Sequence, residues 1–283
     1  NIGIAGIAPN VKIMAVRVAG QSFTAYELAI NLKAGIEYAV SKGADIISMS
    51  LFFEYLATDP LIMHHIKQAV ETAYKNGVVL VGARGNFRTS KPWYPQAFDE
   101  VIAVSAVERL NLHGSLLSPI DMPADYSYLA FVDGNWGGSD YGPSISNPKE
   151  SVEIAAPGTY IWGTDSTSKE FHYSKGSGTS YSAPIVAGVI GMIIGYAKSA
   201  YRRSLNPNEI RFILSQSTID LGPPGWDPYY GYGVVNAYKA LQKVDELLGQ
   251  GGWQIRLDPP ANLDLHVYDS LGRHVGVNYE TGE

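Results

Sequence analysis

"GSGTSYSAPIVAG", residues 176–188, places a serine, Ser180, between a glycine-rich approach and a long apolar run. That run, "APIVAGVIGMIIGYA" over 183–197, reads as a buried helix, because its Gly and Ala content suits close packing. It is shorter than the ~20 residues a bilayer span needs, so no membrane span is expected from it. Two readings of Ser180 follow from chemistry alone. Its hydroxyl either caps the free N–H groups of the helix start, or acts as a nucleophile. Gly176 and Gly178 let the backbone approach closely in the second case, with the positive end of the helix dipole nearby.

Outward from this stretch, apolar runs alternate with helical patterns. "VKIMAVRV" (11–18), "DIISMSL" (45–51), "VVLVGA" (78–83), "VIAVSAV" (101–107) and "VEIAA" (152–156) read as strands. Their near-continuous hydrophobicity is that of a parallel sheet covered on both faces. Between them, Thr24 and Glu27 form a capping-box signal, followed by Leu28, Leu32, Ile36 and Val40 as one buried stripe. Asp59–Pro60 opens a second helix, and "KNG" with Gly77 closes it. Asn206–Pro207 with Glu209 opens a later one. Strand and helix in alternation predict a doubly wound α/β layer. Ligands of such sheets sit outside the carboxyl ends of the strands, where "SLFF", "ARGN" and the approach to Ser180 fall.

Composition narrows the function classes. The chain has 283 residues, 46% hydrophobic and 17% charged, with a net charge of −6. The hydrophobic content fills a substantial core, and the absence of any basic block argues against a nucleic-acid partner. There is no cysteine, which excludes disulfides and thiolate chemistry. Residues 109–150 form a long stretch without clear period, a length usually functional or partner-contacting. From Gly249 the pattern changes: "GQGG" reads as a linker, and "NLDLHVYDSLGRHVGV" as a strand, a turn at Ser270–Gly272 and a second strand. The expected division is therefore 1–248 and 249–283, the latter the first strands of a β-domain.

The Ser180 stretch resembles the nucleophile motif of the subtilisin-like serine proteases. "VVLVGARGN" resembles that family's strand ending in Gly-Asn, and "GIAGIAPNVKIMAVRV" the segment after its catalytic histidine helix. "YPQAFDEVIAVSAV", "VEIAAPG" and "GYGVVNAYKAL" match further landmarks in order, so the likeness spans about residues 1–245. It implies a three-layer α/β fold with a mainly parallel sheet, lacking its N-terminal strands and helix, followed by the start of a β-sandwich-like domain. It also implies a serine endopeptidase forming an acyl-enzyme at Ser180. The backbone N–H of Ser180 and the side-chain amide of Asn86 would stabilise the oxyanion. Losing such an amide costs about 2.7–4 kcal/mol, a figure measured on subtilisin, itself a member of that family. Taken singly, Ser180 reads as a helix cap and Asn86 as a turn residue; the ordered landmarks favour the functional reading.

By the same resemblance a peptide or protein substrate binds by strand addition. It would lie along Ser50, Leu51 and Phe52 on one side and Ala83, Arg84 and Gly85 on the other. The family commonly has Gly-Gly where Phe52 and Phe53 stand, and a small residue at Arg84. Phe52 either narrows the primary pocket, walls a neighbouring subsite, or packs with Phe53 under an adjacent domain.

The triad's base and orienting carboxylate are not found where the family carries them, upstream of the nucleophile. His64, His65, His113, His172, His266 and His274 all lack the His-Gly-Thr-His context; "HGS" at 113–115 matches it for only three letters. The expectation is that an upstream segment or a second chain supplies Asp and His, completes the fold and covers its apolar face, and that the 283 residues alone are inactive. A catalytically inactive scaffold or assembly module is the alternative. A weaker third reading gives the β-domain a carbohydrate- or surface-binding role. The chemistry needs no cofactor. A structural calcium is compatible with the resemblance, but no acidic cluster names its ligands, and Asp264 and Asp269 read as solvated. The resemblance implies a secreted or cell-surface protein.

Overall fold

Thr24 starts the first helix, as its spacing to Glu27 predicts. Its Oγ1 accepts the Glu27 N–H at 3.2 Å, and the Glu27 carboxylate accepts the Thr24 N–H at 2.8 Å. The helix α1 (Ala25–Ser41) buries Ala29, Leu32, Ile36 and Ala39 on one face. A computed structural model describes residues 4–20, 24–53, 60–109, 126–129, 138–142, 152–165, 173–249, 254–257, 265–268 and 274–275. After α1 come β1 (Ile46–Met49), α2 (Pro60–Lys75), β2 (Val79–Ala83), β3 (Val101–Arg109), β4 (Tyr126–Leu129) and β5 (Ile154–Pro157). Pro60 is the first residue of α2, as expected, while Asp59 lies outside the described residues.

β1, β2, β3 and β5 pair in parallel, and β4 adds to β3 in antiparallel sense. Alternate side chains face opposite layers. Val79, Val81, Ile102, Val104 and Ile154 meet α3 (Thr179–Tyr201), α4 (Pro207–Ser215) and α5 (Ala237–Gly249). Leu80, Met49 and Val101 meet α1 and α2 on the other face. The result is the three-layer α/β arrangement expected. Each fully buried aliphatic side chain here contributes roughly 1.5–3 kcal/mol of transfer free energy.

At 23 residues, α3 is longer than the apolar run suggests, and by length and composition it could cross a membrane. Here Val186, Ile190 and Ile193 are wholly buried in the main core. α4 opens with the predicted capping box: Asn206 Oδ1 accepts the Glu209 N–H at 3.0 Å, and Glu209 accepts the Asn206 N–H at 2.9 Å.

Residues 11–18 depart from expectation. They form no strand, and no ladder pairs them among the described residues. A strand is stabilised by its neighbour's hydrogen bonds, and periodicity alone cannot supply that neighbour. The segment instead lies across helices: Ile7 against Gly188, Val11 against Gly191, Val16 and Val18 against Gly35. It leaves Val11 48% and Ile13 90% exposed.

A hairpin of β6 (Ile161–Thr164) and β7 (Tyr173–Gly176) leads into α3. Towards the end of the chain β8 (Gln254–Leu257), β9 (Leu265–Tyr268) and β10 (His274–Val275) form a separate antiparallel sheet. The strand–turn–strand pattern read in the sequence corresponds to β9 and β10, with its turn at Ser270–Gly272 outside the described residues.

Candidate active site

The helix bearing Ser180 is capped by Gly178, whose φ of +140° is a conformation L side chains rarely adopt. Gly178 has no side chain to cap the helix, and the N–H of Thr179 is met by Asn86 instead, so the hydroxyl of Ser180, the second helical residue, is not spent on helix capping. Ser180 is exposed, while Gly178 and Thr179 beside it are buried. Pro184, four residues on, has no N–H to give the Ser180 carbonyl. Ser50 fills that role: its Oγ donates to Ser180 O at 3.0 Å. Ser50 immediately follows β1, so this bond ties the carboxyl rim of the sheet to the start of α3.

Asn86 follows β2 at the same rim. Its Oδ1 accepts the Thr179 N–H at 2.9 Å and the Thr179 hydroxyl at 3.0 Å. Thr179 Oγ1 in turn accepts the Gly85 N–H at 3.1 Å. Two donors on one oxygen fix the orientation of the amide and leave Nδ2 as its free donor face. A Cβ on Gly178 would stand 3.2 Å from that Nδ2. Asn86 is thus bound directly to the residue preceding Ser180. The Ser180 N–H belongs to the helix's first turn, which has no intrahelical acceptors. The geometry can present two donors and a hydroxyl to one carbonyl.

The predicted groove segments are bridged by a residue that sequence reasoning missed. Gln96 Nε2 donates to Leu51 O at 2.9 Å and also to Ala83 O. Gln96 is buried and follows a cis Tyr94–Pro95 bond. Its only sequence signal is its place in "YPQAF", which says nothing of the carbonyls it binds.

Of the two phenylalanines, Phe53 is core, bonded through its N–H to Tyr94 O at 3.1 Å. Phe52 is 37% exposed and lies in an aromatic cluster, its ring centroid 5.3 Å from Phe87 and 5.1 Å from Trp93. Arg84 is buried as a side chain. Its Nη1 donates to Lys91 O at 2.9 Å and its Nη2 to Tyr141 O at 2.9 Å, while its backbone N–H pairs with Val104 O. Close by, Asp140 is fully buried. Burial pushes its carboxyl above the usual range, against the pull of Thr89 N–H, the Trp93 indole and the Arg84 guanidinium.

His64 and His65 lie on α2, with ring centroids 6.0 Å apart. His113 and His172 lie outside the described residues, and for His266 and His274 only the strand backbone is described. Among the described residues no hydrogen bond joins Ser180 Oγ to a histidine, and no group of three or more His, Cys, Asp or Glu could hold a metal. Asp264 and Asp269 are outside them.

A parallel sheet covered on both faces, with a serine helix and an asparagine amide meeting at its carboxyl rim, defines a subtilisin-like protein. The profile of the subtilase family (Peptidase S8) matches residues 1–233, and the chain belongs to that family. It is 33% identical over 228 residues to the major intracellular serine protease of Bacillus subtilis (strain 168), covering 78% of this chain and 59% of that protein. It is also 33% identical over 240 residues to the minor extracellular protease Epr of the same organism, covering 84% of this chain and 30% of that protein. The crystal structure of a lanthipeptide protease superposes with a TM-score of 0.64 at 24% identity, covering 83% of this chain and 71% of that one; this likeness concerns fold alone.

Proposed function

We propose that the protein is a serine endopeptidase that hydrolyses peptide bonds through an acyl-enzyme at Ser180. The observation that carries this reading is the direct bonding of the Asn86 amide to Thr179, beside an exposed serine at a helix start. Ser180 Oγ attacks the scissile carbonyl, and the Asn86 Nδ2 and the Ser180 N–H take up the oxyanion. Preorganised donors of this kind supply the largest single share of such catalysis. The substrate lies along Ser50–Leu51–Phe52 and Ala83–Arg84–Gly85, whose carbonyls at 51 and 83 Gln96 already tethers.

The base and its orienting carboxylate come from a segment preceding Asn1 or from a second chain. Two observations support this. The outer edge of β1 is unpaired among the described residues. Val11, in a segment that no ladder pairs, and Ile46 of β1 both approach Gly191. A strand added between them would satisfy both sets of backbone groups and cover Val11 and Met14, which stand exposed. A structural calcium and an extracellular location are further parts of the proposal; relatives carry both "intracellular" and "extracellular" in their names.

The second reading, an inactive family member retained as an assembly module, is favoured by the cluster of Phe52, Phe87 and Trp93 at the groove. A fluorophosphonate probe separates the two. The protein carrying the preceding segment should be labelled at Ser180, and Ser180→Ala should not be. The 283 residues alone should remain unlabelled. Absence of labelling in the longer protein, or equal labelling of Ser180→Ala, overturns the protease reading.

A further inference from the structure

We infer that Asp140 is a positioning residue that holds Asn86 in place by clamping the chain on both sides of it. The Asp140 backbone N–H donates to Gly85 O at 2.9 Å, and its carboxylate Oδ1 accepts the Phe87 N–H at 2.9 Å. Those are the residues immediately before and after Asn86. The same Oδ1 accepts the Thr89 N–H at 2.7 Å, and Oδ2 accepts the Trp93 indole N–H at 2.8 Å. One wholly buried side chain therefore gathers three donors from the loop that carries the amide.

The fit leaves little room. A Cβ on Gly85, where φ is +122°, would come 2.1 Å from Asp140 Oδ2. Two backbone bonds flank the clamp, Arg88 N–H to Gly138 O at 3.0 Å and Tyr141 N–H to Thr89 O at 3.2 Å. Arg84 closes it from behind, its guanidinium bonded to Lys91 O and Tyr141 O, one on each side. A carboxylate suits this place because all three of its partners are donors; an amide would have to aim an NH₂ at one of them. Asn86 donates from Nδ2 only if its loop holds Oδ1 on Thr179. A small displacement of residues 85–87 would misalign the donor by enough to weaken the oxyanion contact.

The kinetic consequence rests on the protease reading; the clamp itself does not. In Asp140→Asn, Oδ1 can still accept from Phe87 and Thr89, but Nδ2 then confronts the Trp93 indole N–H. In protein that hydrolyses peptides, kcat should fall by about tenfold or more with KM within about twofold, because only transition-state binding is touched. Asp140→Asn combined with Trp93→Phe removes the donor–donor conflict and should recover most of the loss. The readout independent of activity is NMR: the Asn86 side-chain amide signals should shift, and the Phe87 and Thr89 amides should lose exchange protection, in Asp140→Asn and not in the double variant. If Asp140→Asn does not fold, Trp93→Phe alone, which keeps the carboxylate and removes one donor, should move the same signals by less. Unmoved Asn86 signals in folded Asp140→Asn, or in Trp93→Phe where Asp140→Asn does not fold, overturn the inference, as does a kcat loss in Asp140→Asn that adding Trp93→Phe fails to relieve. A wild-type protein that cleaves no peptide counts against the proposed function, while the NMR measurements still decide the clamp.

Discussion

Ser50 and Pro184 should be energetically coupled, although α2, the strands β2 to β7 and the start of α3 lie between them in the chain. Proline at 184 deprives the Ser180 carbonyl of its i+4 partner, and Ser50 Oγ donates to it at 3.0 Å. Both residues are exposed, so water competes and the bond sits towards the lower part of the ~0.5–1.5 kcal/mol range for a neutral hydrogen bond. Ser50→Ala should therefore lower stability by about 0.5–1 kcal/mol. In a Pro184→Ala background the new N–H at 184 reaches the same carbonyl as an ordinary helical bond. Ser50→Ala should then cost less, with a coupling of about 0.5 kcal/mol, the lower end for residues sharing one partner. Urea unfolding of the four proteins measures this, provided the slope with denaturant stays constant. An equal Ser50→Ala penalty in both backgrounds, within about 0.3 kcal/mol, would refute the reasoning.

Asn86→Ala should lower kcat by about 10²–10³ with little change in KM, the range measured for this donor in a member of the same family; peptide hydrolysis kinetics check it. Gly85→Ala should destabilise by at least ~1–3 kcal/mol from its backbone conformation, since φ is +122°, and by more from the Asp140 contact; thermal melting reads the loss. Thr24→Ala removes the α1 cap and should cost about 0.5–2 kcal/mol, visible as a lower urea midpoint. Burial raises the Glu153 carboxyl above its ordinary 4.5, although Arg211 at 3.2 Å pulls it down. The folded chain then binds this proton more tightly than the unfolded one. Its contribution to stability is greatest at low pH and declines as pH rises from 4.5 through the raised value. Glu153→Gln should remove that decline from urea midpoints measured across the window, and Arg211→Met should extend it to higher pH.

The fold was largely legible because its cues are local. Thr24–Glu27 and Asn206–Glu209 are each three residues apart, and both form the caps their spacing encodes. Continuous apolar runs at 78–83 and 101–107 became buried parallel strands, since a strand covered on both faces needs no polar side. The same rule failed at 11–18, where the apolar run was present and, among the described residues, a pairing neighbour was not. Ser180 and Asn86 stood out through glycine-flanked motifs. Gln96, Asp140 and the inward course of Arg84 did not, because their roles lie in carbonyls and N–H groups of other segments. No short-range pattern marks a glutamine as the residue that will bind Leu51 O and Ala83 O.

By itself the sequence determined the alternation of the parallel strands with helices and the capped starts of two helices, and it singled out a serine and an asparagine as candidates for an acyl-transfer site. Short-range sterics, capping and hydrophobic period decide such things within a few residues. Only the tertiary structure decided that Asn86 rests on Thr179, that Ser50 replaces the hydrogen bond Pro184 forbids, and that Asp140 holds both neighbours of Asn86. Those contacts join groups tens of residues apart, and they exist because parallel strands deliver their carboxyl ends to one rim.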